Sequence, residues 1–101
     1  MLRDKLYEVL YKDENKAIVK LSNKDHPLFK AHFPTMPILP GYIHFEIVAD
    51  LFDININTIK KAKFLKTISP EQTVVYEKNT NKYRVYSKDE EVANFTLWVY
   101  V

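Results

Sequence analysis

Residues 26–53, HPLFKAHFPTMPILPGYIHFEIVADLFD, of this 101-residue chain bring histidines and carboxyls together in one short stretch. The three histidines, His26, His32 and His44, all fall here, together with Glu46 and Asp50. The chain has no cysteine, so thiol nucleophiles and cysteine-ligated zinc are excluded. No serine or threonine sits in a nucleophile-elbow context, and no glycine-rich loop could cradle a phosphate. A metal site is not expected either. His44 and Glu46 are two apart, so on a helix they point about 200° away from each other. His32 and Glu46 do not have a local metal-ligand spacing. General acid–base chemistry remains: a neutral histidine can take a proton and a protonated carboxyl can give one. Burial in an apolar slot would favour both neutral forms.

Two kinds of element must position these groups. Pro34, Pro37 and Pro40 fall three apart, and each fixes its own φ and biases the preceding residue toward extended backbone. Residues 33–40 should therefore form a stiff, non-helical arm that carries His32. Gly41, the one glycine in the chain, ends it. A helix is predicted over 41–53, where proline and further glycine are absent and Ile43, Phe45, Ile47, Val48, Leu51 and Phe52 cover more than one stripe. Such a helix is usually buried on several sides. Glu46 lies in its first turns, and Asp53, Asn55 and Asn57 should end it. Gly41 would sit at its N-terminus, where free N–H groups and the helix dipole favour developing negative charge. A base, an acid and an oxyanion-stabilising amide suit proton abstraction next to a carbonyl with loss of a leaving group.

The flanking segments read as strands. Residues 5–11 and 16–22 alternate with period two, separated by the polar turn Asp13–Asn15, and form an antiparallel pair. After the helix, 58–66, 72–78, 82–87 and 91–101 read as a meander of four strands with hairpin loops at Asn79–Asn81 and Lys88–Glu90. In the last run Ala93, Phe95, Leu97 and Val99 form a core face against Asn94, Thr96, Trp98 and Tyr100. A helix apolar over most of its surface can be covered in so short a chain only by a sheet wrapped around it. The reading is α+β, with one domain over 1–101.

Bulk properties narrow the class further. The net charge of +2 does not suggest nucleic acid. The N-terminal MLRDKLYEVL carries charges inside its apolar run and does not read as a signal peptide. No apolar run approaches the roughly 18 residues needed to cross a bilayer. Absence of cysteine fits a reducing cytoplasm.

The arm and helix resemble the hotdog-fold 3-hydroxyacyl-(acyl carrier protein) dehydratases, whose pattern is His-Phe-Pro-Gly-x-Pro-x-x-Pro-Gly followed by a helical carboxylate. Here the stretch is His32-Phe33-Pro34-Thr35-Met36-Pro37-Ile38-Leu39-Pro40-Gly41, and Glu46 stands fourteen residues after His32, as in the family. His26-Pro27-Leu28-Phe29-Lys30-Ala31 is similar to the family's approach to the loop. Ala62-Lys63-Phe64 and Ser69-Pro70-Glu71 are similar to its third strand and following turn. The resemblance implies a sheet wrapped around one helix, no cofactor, and a dimer with sheets joined edge to edge, which in some members forms a trimer of dimers. Each site would combine the histidine of one subunit with the carboxylate of the other. His32 would remove the α-proton of a 3-hydroxyacyl thioester, Glu46 would protonate the departing hydroxyl, and the Gly41 N–H would polarise the thioester carbonyl. Phe33, Pro40, Tyr42 and Phe45, with Phe29, would line an acyl tunnel. Lys30, Lys60, Lys61 and Lys63 would dock an acidic acyl carrier protein; a solvated strand face is the plain alternative.

Thr35 replaces the family's glycine, and a β-branched residue would be strained if φ > 0 is needed there. Asp50 stands one turn after Glu46, where many relatives carry glutamine. If both carboxyls face the site, repulsion raises the pKa of one. The short chain is most similar to compact dehydratases associated with aryl polyene chains. Two other functions share the fold: a hotdog thioesterase, and a non-catalytic acyl-binding subunit of a heteromeric dehydratase.

Overall fold

The computed structural model describes residues 6–31 and 35–100. His32, Phe33 and Pro34 therefore lie outside the described residues, as do 1–5 and 101. The central helix α2 spans Ile43–Leu51 and is shorter at both ends than the apolar run suggests. Its buried residues, Ile43, His44, Ile47, Val48 and Leu51, recur at helical spacing and form one face. The first turn is tight: the N–H groups of Ile43, His44 and Phe45 donate to the carbonyls of Pro40, Gly41 and Tyr42, three residues back. Pro40 cannot continue a helix backwards, so the helix starts after it. At the other end Asp53 takes a left-handed conformation, φ 52°, and Ile54 N–H donates to Ala49 O at 3.0 Å. This Schellman-type ending places a tolerant residue at the left-handed position.

Six antiparallel strands form one sheet: β1 (Tyr7–Lys12), β2 (Lys16–Leu21), β3 (Ile56–Phe64), β4 (Thr73–Asn79), β5 (Lys82–Ser87) and β6 (Glu90–Val99). Their order is β1-β2-β4-β5-β6-β3, so the four strands after the helix are not a simple meander. β4, β5 and β6 do follow one another as hairpins, and Lys88 and Asp89 both take positive φ in the two-residue turn before β6. β3, however, pairs with β6 at the far edge. The chain then crosses back: Ile68 O accepts from Leu39 N–H of the arm, and Gln72 O accepts from Leu21 N–H, bringing β4 in beside β2. Period-two alternation reports which face a residue takes, not which strand it pairs with, so the crossover was invisible in the pattern.

Ala17, Val19, Leu21, Val74, Tyr76, Tyr83, Val85, Ala93, Phe95 and Leu97 are buried together with the inner face of α2 and form the core. The predicted alternation of the last strand holds, with Ala93, Phe95 and Leu97 buried and Trp98 and Tyr100 exposed. One further element, α1 (Pro27–Ala31), precedes the arm, where the sequence had suggested only an approach to it. Pro27 occupies the first helical position, and His26 Nδ1 accepts from Leu28 N–H at 3.0 Å. A histidine is an unusual N-terminal cap, which is why the start signal was missed. Phe29, considered for the acyl tunnel, is fully buried in the core.

Candidate active site

Glu46 lies in the first turn of α2 on its exposed face. It opens onto a cleft of about 480 Å³ whose walls include Phe45, Ala49, Ile54, Ile56 and Tyr100. Within one chain this carboxyl faces outward and is not enclosed. The core face of α2 turns toward the sheet, and Glu46 points the other way. His44, two residues earlier, is 3% exposed, so the two groups do point apart. The base assigned to the arm, His32, and the tunnel residue Phe33 lie outside the described residues.

Gly41 precedes the helix by two residues, and its carbonyl accepts from His44 N–H at 3.1 Å. Its N–H donates to no carbonyl among the described residues. Its φ is not in the left-handed region, so backbone freedom is not what demands glycine. A Cβ there would stand 3.0 Å from two atoms of the Phe64 ring. Phe64 in turn meets Phe45 edge-on at 6.0 Å and stacks on His44 at 6.3 Å, with 16° between the rings. Gly41→Ala should gain up to about 1 kcal/mol by restricting the unfolded chain. It should lose about 1–3 kcal/mol by overpacking against Phe64. The net expectation is a loss of about 1 kcal/mol, read as a lower urea midpoint, that disappears in a Phe64→Ala background.

The other proposed tunnel residues divide. Pro40 is half-buried, and Phe45 wedges between Phe64 and Phe95, 4.9 Å from the latter. Tyr42, just ahead of the helix, is 52% exposed. Asp50 is half-buried and accepts a hydrogen bond from Tyr7 Oη on β1. That bond draws it toward β1, whereas the Glu46 cleft opens beside Ile54, Ile56 and Tyr100. The two carboxyls thus meet different surroundings.

The basic residues are exposed. Lys30 lies in the last turn of α1, and Lys60, Lys61 and Lys63 lie on β3, where Lys61 takes φ 50° and the register shifts between Lys60 and Lys63. Lys60 Nζ stands 5.7 Å from the centre of the Trp98 ring. Lys66, a neighbour in sequence, is engaged by Glu90.

One pair was not anticipated. His44 Nδ1 is 2.8 Å from Tyr76 Oη, and both side chains are buried. Burial lowers the imidazole pKa from 6.5 to about 4, so the ring is neutral at neutral pH, and it pushes the Tyr76 phenol well above its usual value. The available signal was the helical pattern: position 44 shares a face with Ile47, Val48 and Leu51, and a histidine there needs a buried partner.

The sequence matches the family described as "ApeI-like: ApeI dehydratase" over residues 10–96. It is 28% identical to a protein named 3-hydroxyacyl-(acyl-carrier-protein) dehydratase FabZ from Rickettsia akari, over 86% of this chain and 72% of that one. It spans 57% of the length of the FabZ protein of Rickettsia rickettsii, at 30% identity. Among solved structures it is similar to a chain of the dehydratase heterocomplex ApeI:P from Xenorhabdus doucetiae, with a TM-score of 0.70, 16% identity, and coverage of 92% of this chain and 96% of that one. The fold is the hotdog fold.

Proposed function

Because this chain belongs to the ApeI-like dehydratase family, we propose that it removes water from a 3-hydroxyacyl thioester presented by an acyl carrier protein, leaving a trans-2-enoyl thioester. The observation that carries this reading is the start of α2. There Glu46 faces an open, mostly apolar cleft one turn after Gly41, and in the sequence the arm that bears His32 leads directly into Gly41. His32 takes the α-proton, and charge moves onto the thioester oxygen. The Gly41 N–H, ahead of the positive end of the helix, donates to that oxygen as the charge develops. Electrons then return to form the Cα–Cβ double bond, and Glu46 gives its proton to the departing hydroxyl, which leaves as water. The proton on His32 and the vacancy on Glu46 are restored through solvent. The test supplies 3-hydroxyacyl thioesters on carrier protein and on coenzyme A and follows enoyl absorbance. Release of free thiol with no change in the acyl chain would instead identify a thioesterase, which has no use for His32.

The exposed setting of Glu46 calls for a second subunit to enclose the cleft. Of the two edge strands, β1 and β3, it is β3 whose Ile56 lines the cleft, so β3 is the strand assigned to the joint. It is an edge strand, eight of its nine residues are exposed, and Ile59 and Phe64 are each nearly half exposed. An open edge with apolar side chains is a template for strand pairing. Ile59→Asp should shift the sedimentation coefficient from dimer to monomer and abolish turnover; a variant that remains dimeric would rule this edge out.

Lys60, Lys61 and Lys63 on that strand, with Lys30, form the surface for an acidic carrier protein. Reversing Lys60, Lys61 and Lys63 to glutamate should raise KM for the carrier-bound substrate about tenfold while KM for the coenzyme A thioester stays within twofold. An equal effect on both substrates would remove these lysines from docking. Among the described residues no helix is long and apolar enough to cross a membrane, and a cytoplasmic enzyme is part of the same proposal.

A further inference from the structure

Phe64 connects two features that the proposed reaction leaves unrelated. One face of its ring meets the Gly41 backbone, where a Cβ would fall 3.0 Å from ring atoms. The ring also stacks on His44, whose Nδ1 is hydrogen-bonded to Tyr76 Oη of β4. Phe64 itself ends an edge strand and is 49% exposed, so core packing alone does not set the tilt of its ring. The His44 ring, by contrast, is clamped. Tyr76 meets it in a T at 5.7 Å, and the hydrogen bond fixes its rotation about χ2.

We propose that His44 is a positioning residue for the Gly41 amide, acting through Phe64. The proposal rests on the role given to Gly41 above. Stability alone does not require a polar pair here, because a buried hydrogen-bonded pair gains little over two apolar side chains of the same shape. What the pair adds is direction: a bond from β4 sets the plane of one ring, the stack transfers that plane to a second, and the second abuts the peptide ahead of the helix. Neither Tyr76 nor His44 needs to touch substrate for this to affect the rate.

Gly41 is the sole glycine, so protein labelled with 15N-glycine gives one backbone amide signal, and it belongs to the group in question. Phe64→Ala shows where that signal lies without the ring. Tyr76→Phe removes the hydrogen bond, and the double variant His44→Phe/Tyr76→Phe replaces the pair by an apolar core. The double variant carries the test even if Tyr76→Phe, which leaves an imidazole nitrogen unpaired, fails to fold. In both, the Gly41 signal should move toward its Phe64→Ala position. At the same time kcat should fall about tenfold with KM within twofold, because a displaced group costs the chemical step rather than binding. A signal that stays at its wild-type position in the folded double variant overturns the proposal. A signal that moves while kcat does not would confirm that His44 positions the amide and refute the catalytic role assigned to Gly41.

Discussion

Glu46→Gln should lower kcat by about 10²- to 10⁴-fold, and His32→Ala should do the same, as expected for loss of a general acid or base. The glutamine variant isolates the proton, since the amide keeps the shape of the side chain and cannot protonate a leaving hydroxyl. The variant should still fold, because Glu46 belongs to no part of the chain's core. Each variant alone leaves open whether the two groups of one site come from one subunit or two. Mixing them answers that. If each site combines His32 of one copy with Glu46 of the other, a dimer of one His32→Ala and one Glu46→Gln chain has one site doubly damaged and one intact. A randomly mixed pool should then recover about a quarter of wild-type activity, half its dimers being mixed and half their sites intact. If both groups come from one chain, every site in the pool is damaged and no activity returns. The readout is enoyl absorbance before and after subunits are exchanged, and it requires no structure of the complex.

How far the sequence could be read depended on the kind of information each feature carries. The proline spacing and the change of pattern at Gly41 place the helix to within two residues at each end and agree with the non-helical backbone described over 35–40, because both express local backbone restriction. The strand segments were similarly legible, and 82–87 coincides with β5. Sheet order was not. β3 must leave one edge and β4 must enter near the other, and the contacts that enforce it, such as Ile68 O with Leu39 N–H, join residues far apart in the chain. Gly41 stood out as the end of the arm, but its packing did not. A Cβ there would crowd the Phe64 ring, a tertiary contact that no local pattern shows. His44 was the least legible residue of the site. Its partner lies 32 positions away on β4, and no local spacing announces the pair. Glu46 shows the converse limit. A carboxylate on an apolar helix suggests a buried acid by residue type, yet it could equally face water, and within the chain it is exposed.

Below neutral pH the folded protein should lose stability chiefly through His44. Its pKa is about 4 in the folded chain, lowered by burial from 6.5. Between those values the unfolded chain binds a proton that the folded chain refuses, so stability rises with pH across the window and falls as the solution is acidified. Above pH 6.5 the ring is neutral in both states and the contribution is constant. By pH 4 the difference amounts to about 3 kcal/mol, a large share of the roughly 5–15 kcal/mol that holds a domain together. Other groups titrate in acid too. Asp13 and Glu90 have carboxyls held below their usual values by Tyr11 and Lys66, and both lie on the surface. Their pull has the same sign at lower pH, so the wild-type curve alone does not identify His44. A difference curve does. His44→Asn keeps a polar atom near the position of Nδ1, within reach of Tyr76, and removes the titration. Urea midpoints of both proteins, measured from pH 8 down to pH 4, should run parallel above about pH 6.5 and converge or cross below it. The wild type should lose about 3 kcal/mol relative to the variant by the lower end. Curves that stay parallel throughout would mean that the buried imidazole accepts a proton in the folded chain about as readily as in the unfolded one. The His44–Tyr76 pair would then have to open at little cost.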